Sequence, residues 1–198
     1  MATTAFDSLI QHVQKRVSLT EAELAEMLSY FSVKTIKKKQ LIIQPDFVAR
    51  HRNYIVEGAF RAYVIDEKGE ERTIQFAIED WWISDYNSYI YQQPATMFVL
   101  ALEDSVVLRI DHDQEQKLKA ANHKFETFFR IMAERSSAFM QRRIISNLTQ
   151  SAEERYTDFL EKYPLVAQRL PQYALASYLG MTTEFLSKIR NNKVRRKS

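Results

Sequence analysis

Over the first thirty residues apolar positions recur at helical spacing: Phe6, Leu9, Ile10, Val13 and Val17, then Leu24, Met27 and Leu28 behind a Thr20/Glu23 capping-box pattern. From Ser32 to about Ile110 the period shortens. Short β-rich runs follow one another at Val33 to Ile36, Leu41 to Ile43, Asn53 to Val56, Ala59 to Ile65, Arg72 to Ile78, Met97 to Leu102 and Ser105 to Ile110. They predict an antiparallel roll, barrel or sandwich, with Asp66 to Gly69 as a hairpin turn. After Asp113 the pattern is helical again. One long helix without Gly or Pro is expected from about Asn122 to Leu148, with Phe125, Phe128, Met132, Phe139 and Ile145 as an apolar seam that needs a partner, either the β domain or a second subunit. A second capping-box pattern, Ser151 to Glu154, starts a helix that stops near Pro164. The expected units are a β domain over 1–112, a connecting and dimerisation helix over 113–148, and a helical domain over 149–198.

The segment from Gln172 to Asn191 carries the most specific pattern. Leu175, Ala176, Leu179, Gly180, Met181, Leu186 and Ile189 stand where two helices packed across a tight turn require them. Ala176 suits a close approach of the helices, Gly180 the residue that ends the first, and Thr182 the N-cap of the second. Pro171 suits the start of the first helix. The outer face of the second helix shows Thr183, Glu184, Ser187, Lys188 and Asn191, all polar, where a buried dimer surface would be apolar. That favours a DNA-binding helix-turn-helix over a purely structural hairpin or a protein-only interaction module. Thr183, Glu184 and Lys188 are the expected base readers, Ser187 a further DNA-binding residue beside them, and Gln172, Thr182, Arg190 and the tail residues Lys193, Arg195 and Arg196 the expected phosphate contacts.

Charge agrees with this division. The chain carries +3 overall, yet from Pro164 onward there are seven basic residues and one acidic, a net of +6 that leaves −3 for everything before it. Composition removes other chemistries. Without cysteine there is no disulfide, thiolate zinc site, thiol catalysis or cysteine-held iron–sulfur cluster. Three glycines, none in a Gly-rich loop, leave no phosphate cradle of the Walker or dinucleotide type. His12, His51, His112 and His123 show no metal-binding spacing and read as solvated surface residues, which leaves a metal-dependent enzyme without support. No apolar run is long enough to cross a bilayer and the N-terminus lacks a leader pattern, so a cytoplasmic protein without a membrane partner is expected.

Helical preface, β runs, long helix and terminal helix-turn-helix together resemble the Crp/Fnr superfamily of regulators. The strongest stretches are Tyr54 to Phe76, Ala101 to Ile110 and Leu170 to Arg190. The resemblance implies an α+β fold: an N-terminal double-stranded antiparallel β-roll with flanking helices acting as sensor, a long dimerisation helix, and a C-terminal helix-turn-helix. It implies a homodimer on a pseudo-palindromic double-stranded DNA site, an unidentified small effector, and RNA polymerase as a further partner. The family's glutamate and arginine base readers fall on Glu184 and Lys188, so a bidentate fork has become a point charge. Where the family's cyclic-nucleotide binders carry a ribose-holding Gly-Glu pair and a phosphate-pairing Arg-Ser/Thr-Ala run, the matching stretches here are Trp82-Ile83-Ser84-Asp85 and Ala95-Thr96-Met97. The arginine is absent. A buried cyclic phosphate would lack its cation, which argues against cyclic AMP in the familiar mode; no cofactor is evident. Trp82, Asp85, Tyr86 and Thr96 remain candidate ligand residues, with core packing as the competing role for the aromatics. The family's β-hairpin wing is expected to be missing or vestigial, with the basic tail in its place.

Overall fold

The computed structural model describes residues 5–197, and their side chains as far as residue 192. Two helices come first, α1 (Ala5–Gln14) and α2 (Glu21–Ser29). The Thr20 capping box forms: Glu23 N donates to Thr20 Oγ1 at 3.2 Å and Thr20 N to Glu23 Oε2 at 2.8 Å. Eight strands follow, β1 (Ser32–Ile36), β2 (Leu41–Ile43), β3 (His51–Glu57), β4 (Phe60–Ile65), β5 (Glu71–Ala77), β6 (Trp82–Ile83), β7 (Phe98–Ala101) and β8 (Ser105–Asp111). A short helix α3 (Tyr86–Tyr91) stands between β6 and β7. The strands form two antiparallel four-stranded sheets, β1-β8-β3-β6 and β2-β7-β4-β5, packed face to face as the expected β-roll.

Strand alternation assigns the two faces of the first sheet. Ile36, Ile55 and Val107 point between the sheets and meet Phe60, Ala62 and Val99 of the second. Tyr54, Leu108 and Ile110, one residue out of phase, point the other way and carry the helices. Gly58 joins β3 to β4 at φ +112°. A Cβ there would lie 2.0 Å from Ser105 Oγ, so the crossing of the two strands admits no side chain.

α4 (His112–Ala121) and α5 (His123–Thr149) follow β8. Asn122 caps α5 through its side chain and donates Nδ2 to Glu23 Oε1 at 2.9 Å, while Lys124 Nζ reaches Glu23 Oε2 at 2.8 Å, so the α2 cap also anchors the start of the long helix. Phe125, Phe128 and Phe129 of α5 are buried against Leu9, Val13, Met27 and Leu118. This corrects a dimer role for Phe125 and Phe128, two of the five seam residues, whose partner is the chain's own core. Phe125 and Phe128 are fully enclosed in the chain's own core and have no surface left for a second subunit.

The C-terminal helices are α6 (Ala152–Lys162), α7 (Pro164–Arg169), α8 (Gln172–Tyr178) and α9 (Thr183–Lys197). Tyr156, Phe159, Leu175, Leu186 and Ile189 form their core, which Phe76 of β5 joins. The domain docks on that strand. Thr73 N donates to Ser177 Oγ and Ser177 Oγ to Glu71 O, both at 2.8 Å. Arg143 of α5 bridges β5 and α8, donating to Thr73 O and Tyr178 O and lying over the Tyr178 ring. Arg169 closes a fork on Glu79, at 2.6 and 3.0 Å, and also pairs with Glu103.

Candidate nucleic-acid interface and effector cavity

The turn between α8 and α9 is built as the residue pattern requires. Gly180 stands at φ +70°, its N–H donating to Ser177 O at 3.1 Å and Met181 N to Ala176 O at 3.0 Å, which is the hydrogen-bond pair of a Schellman C-cap. Ala176, 1% exposed, lies in the interhelical core with Leu175, Leu179, Leu186 and Ile189. Thr182 caps α9, accepting from Phe185 N at 3.2 Å.

The outer face of α9 is polar and open. Glu184 and Lys188 are exposed one helical turn apart, Arg190 is exposed beyond them, and Thr183 is half-buried. Glu184 is ionised: its own backbone N–H and the Thr182 hydroxyl hold its carboxyl below the usual value, at the helix end that favours an anion. Lys188 and Arg190 form no ion pair among the described residues. Gln172 Nε2 donates to Ser187 Oγ at 2.6 Å, so these two expected contacts brace α8 against α9. The backbone of α9 continues to Lys197, and the side chains of Lys193, Arg195 and Arg196 lie outside the described residues.

A cavity of about 500 Å³ lies where the β-roll, α5 and the C-terminal domain meet. Of the four expected ligand residues it takes Trp82 and Tyr86. Asp85 and Thr96 belong to the framework instead. Asp85, 0% exposed, caps α3 by accepting from Ser88 N at 3.1 Å and ties down Thr96 through Thr96 N at 2.8 Å. The other walls come from residues outside the set expected from the sequence: His12 of α1 and Arg16 just beyond it, Gln75 of β5, Arg135, Phe139 and Arg142 of α5, and Tyr163 at the α6–α7 junction, whose ring meets Trp81 edge-on at 5.6 Å. Phe139, expected in the dimer seam, lines this cavity, and Met132 stands between it and the aromatic core. A signal for the α5 wall was present in the chain: Met132, Arg135, Phe139 and Arg142 share one helical face, two arginines interrupting an apolar stripe.

His12 corrects the reading of all four histidines as solvated. It is 5% exposed, edge-on to Tyr54 and Phe128, and Nε2 accepts from Trp82 Nε1 at 3.2 Å. Burial, reinforced by the charge of Arg16, lowers its pKa to about 4, so the ring is neutral and free to accept the indole proton. Arg16, Arg52, Arg135 and Arg142 face the cavity against a single carboxylate in its wall, Asp80, which already accepts from Tyr54 Oη at 2.5 Å. Arg52 is buried between Tyr86, Tyr89 and Phe129 and paired with Glu115 at 3.2 Å.

Residues 33–122 match the family model for the cyclic nucleotide-binding domain. No curated protein matches the chain by sequence. Solved structures superpose over most of it at low identity. A mutant of CooA from Carboxydothermus hydrogenoformans is 17% identical, with 92% of this chain and 88% of that one covered at a TM-score of 0.70. FixK2 from Bradyrhizobium japonicum is 16% identical, with 84% and 86% covered at 0.74, and the c-di-GMP responsive global regulator CLP from Xanthomonas campestris is 10% identical, with 90% and 93% covered at 0.70. By its matched domain and by the solved structures it superposes on, the chain has the fold of the Crp/Fnr regulators.

Proposed function

We propose that the protein is a sequence-specific DNA-binding transcription regulator that acts as a homodimer and responds to a small effector in the cavity against α5. The observation that carries this reading is the outer face of α9, where Glu184, Lys188 and Arg190 are open to solvent above a helix pair closed by Ala176 and Gly180. A carboxylate accepts from cytosine N4 and an ammonium donates to guanine O6 or N7, while Thr182 and Arg190 flank them at phosphate height. A twofold dimer sets two such helices about 34 Å apart, one turn of the duplex.

The dimer surface in this proposal is the distal half of α5. Ile144, Ile145 and Leu148 are 57%, 52% and 80% exposed, a large apolar area for a water-facing helix. The effector proposal rests on what the cavity touches. Its walls belong to the β-roll, to the helix that continues into the dimer stripe, and to Tyr163 of the DNA-binding domain, so one bound molecule contacts all three parts. Cyclic AMP held in the family's familiar way is not proposed, because Asp85 is already committed to Ser88 and Thr96 and Ala95 stands where a phosphate would need an arginine.

Selection of bound duplexes from a random pool by the purified full chain tests the reading. A recovered inverted repeat with half-sites one helical turn apart is expected. Recovery without sequence preference, or of single half-sites only, overturns it.

A further inference from the structure

The first sheet breaks its own pattern at one end. Along β1, β8 and β3 the positions facing the second sheet are Ile36, Val107 and Ile55, all buried and apolar. Two residues further along each strand in the same phase stand Lys34, Arg109 and Asn53, with His51 beyond Asn53. Arg109 is the register partner of both Ser32 and Asn53, and Lys34 pairs across from Val107, so these side chains share the inner face of adjacent strands. Here the sheets part around a groove of about 500 Å³. Its floor is Ile36, Leu41 and Ile43, and its far wall is Gln44 and Phe47 to Arg50, with Asp46 in the same loop but outside the lining. That wall is pinned by Ala95 N to Phe47 O, Ala49 N to Ser88 Oγ and His112 N to Arg50 O, each at 2.9 Å.

The charges in the groove are of one sign. Lys34, Arg50 and Arg109 line it, no carboxylate does, and none of the three forms an ion pair among the described residues. Asp111, across from His51, is the acidic group nearest on the strands, and its carboxylate caps α4 by accepting from Asp113 N at 2.9 Å. Burial first and the charge of Arg109 next lower the pKa of His51, with Asp111 opposing and Arg50 adding to the lowering. Three cations without an ion-pair partner among the described residues at one open end of the inner face, Lys34 and Arg50 exposed and Arg109 half-buried with Nε donating to Ser32 Oγ at 3.3 Å, give that end a positive potential that favours an anion.

We propose that this groove is a second ligand site, separate from the cavity against α5, for a small organic anion, a carboxylate or phosphate ester carrying an apolar or aromatic body. The headgroup meets Arg109, Arg50 and Lys34, and the body lies on Ile36, Leu41 and Ile43 with Phe47 at the rim. Its volume is that of a small-molecule site.

Isothermal titration of the full chain with phenyl phosphate, phenylacetate, inorganic phosphate and benzyl alcohol tests this. One or both aromatic anions are expected to bind saturably at one per chain, the tighter of the two naming the headgroup, with benzyl alcohol silent and inorganic phosphate at least tenfold weaker. Arg109→Gln and Arg50→Gln are each expected to weaken binding at least fivefold and the double variant at least twentyfold, while Arg135→Gln in the other cavity leaves the affinity unchanged. Lys34→Gln with Arg50→Gln, both exposed, serves if Arg109→Gln lowers the melting point. Absence of saturable binding by either aromatic anion, undiminished binding in the double variants, or loss on Arg135→Gln instead overturns the proposal. Inorganic phosphate binding as tightly as phenyl phosphate overturns the role given to the apolar floor.

Discussion

The two halves of α5 are one continuous helix with opposite surroundings. The first half places Phe125, Phe128 and Phe129 at 0–2% exposure among α1, α2, α4 and the outer face of the first sheet. The second half leaves Ile144, Ile145 and Leu148 more than half exposed. Between them, Arg135, Phe139 and Arg142 face the cavity and Arg143 holds β5 to α8. An apolar helical stripe therefore states that a partner exists without saying which one. Here the same stripe serves the fold at one end, the cavity in the middle, and open surface at the other.

The comparison breaks most visibly under substitution in the first half. Phe128→Ala is expected to cost about 3–5 kcal/mol in urea unfolding of the protomer, the usual loss for a fully enclosed phenyl ring. A loss below 1 kcal/mol would mean that the ring is not part of a close-packed core. In the second half, Ile145→Glu with Leu148→Glu is expected to leave unfolding of the protomer nearly unchanged and to weaken self-association at least a hundredfold, on the order of 3 kcal/mol, in sedimentation equilibrium. If the double variant assembles as the parent does, the distal stripe is not the subunit contact. Glu184→Ala and Lys188→Ala come next. Each is expected to cost about 1–3 kcal/mol at one base position of the selected site with the rest of the preference intact. A uniform loss over all sequences would move both residues from base reading to backbone contact.

What could be read from the chain beforehand follows how local the determinants are. The helix-turn-helix was legible because Ala176, Gly180, Thr182 and Leu186 satisfy one another within a dozen residues, and Gly180 N and Met181 N find their acceptors one turn back. The β-roll was legible from strand alternation, although β6, two residues long, and α3, capped by Asp85, carry too few residues to show a period. The cavity was legible only in part. Trp82 and Tyr86 stood among the expected ligand residues, but His12, Gln75, Arg135 and Tyr163 come from separate parts of the chain, and only the packing of sheet, long helix and C-terminal domain brings them together. Asp85 and Thr96 were placed by their position in the pattern, but position does not reveal that the carboxylate already has its partners.

His12 supplies the smallest and most specific test of the contrast along α5, because it touches the buried half and the cavity at once. Its ring packs edge-on to Phe128 and accepts the Trp82 indole proton only while neutral. The folded pKa, lowered to about 4, lies below the ordinary 6.5. The unfolded chain therefore takes up the proton first as pH falls, and the stability due to the neutral ring is complete above pH 6.5 and lost between there and about 4. After allowance for screening this amounts to about 1–2 kcal/mol. Urea unfolding of the parent should weaken across that window, and His12→Gln, which keeps an acceptor and removes the titration, should show a flatter profile there. Coincident slopes for the two proteins would mean that folding leaves the proton affinity of His12 unchanged, and with that the packing of the first half of α5 against the cavity wall would have to be redrawn.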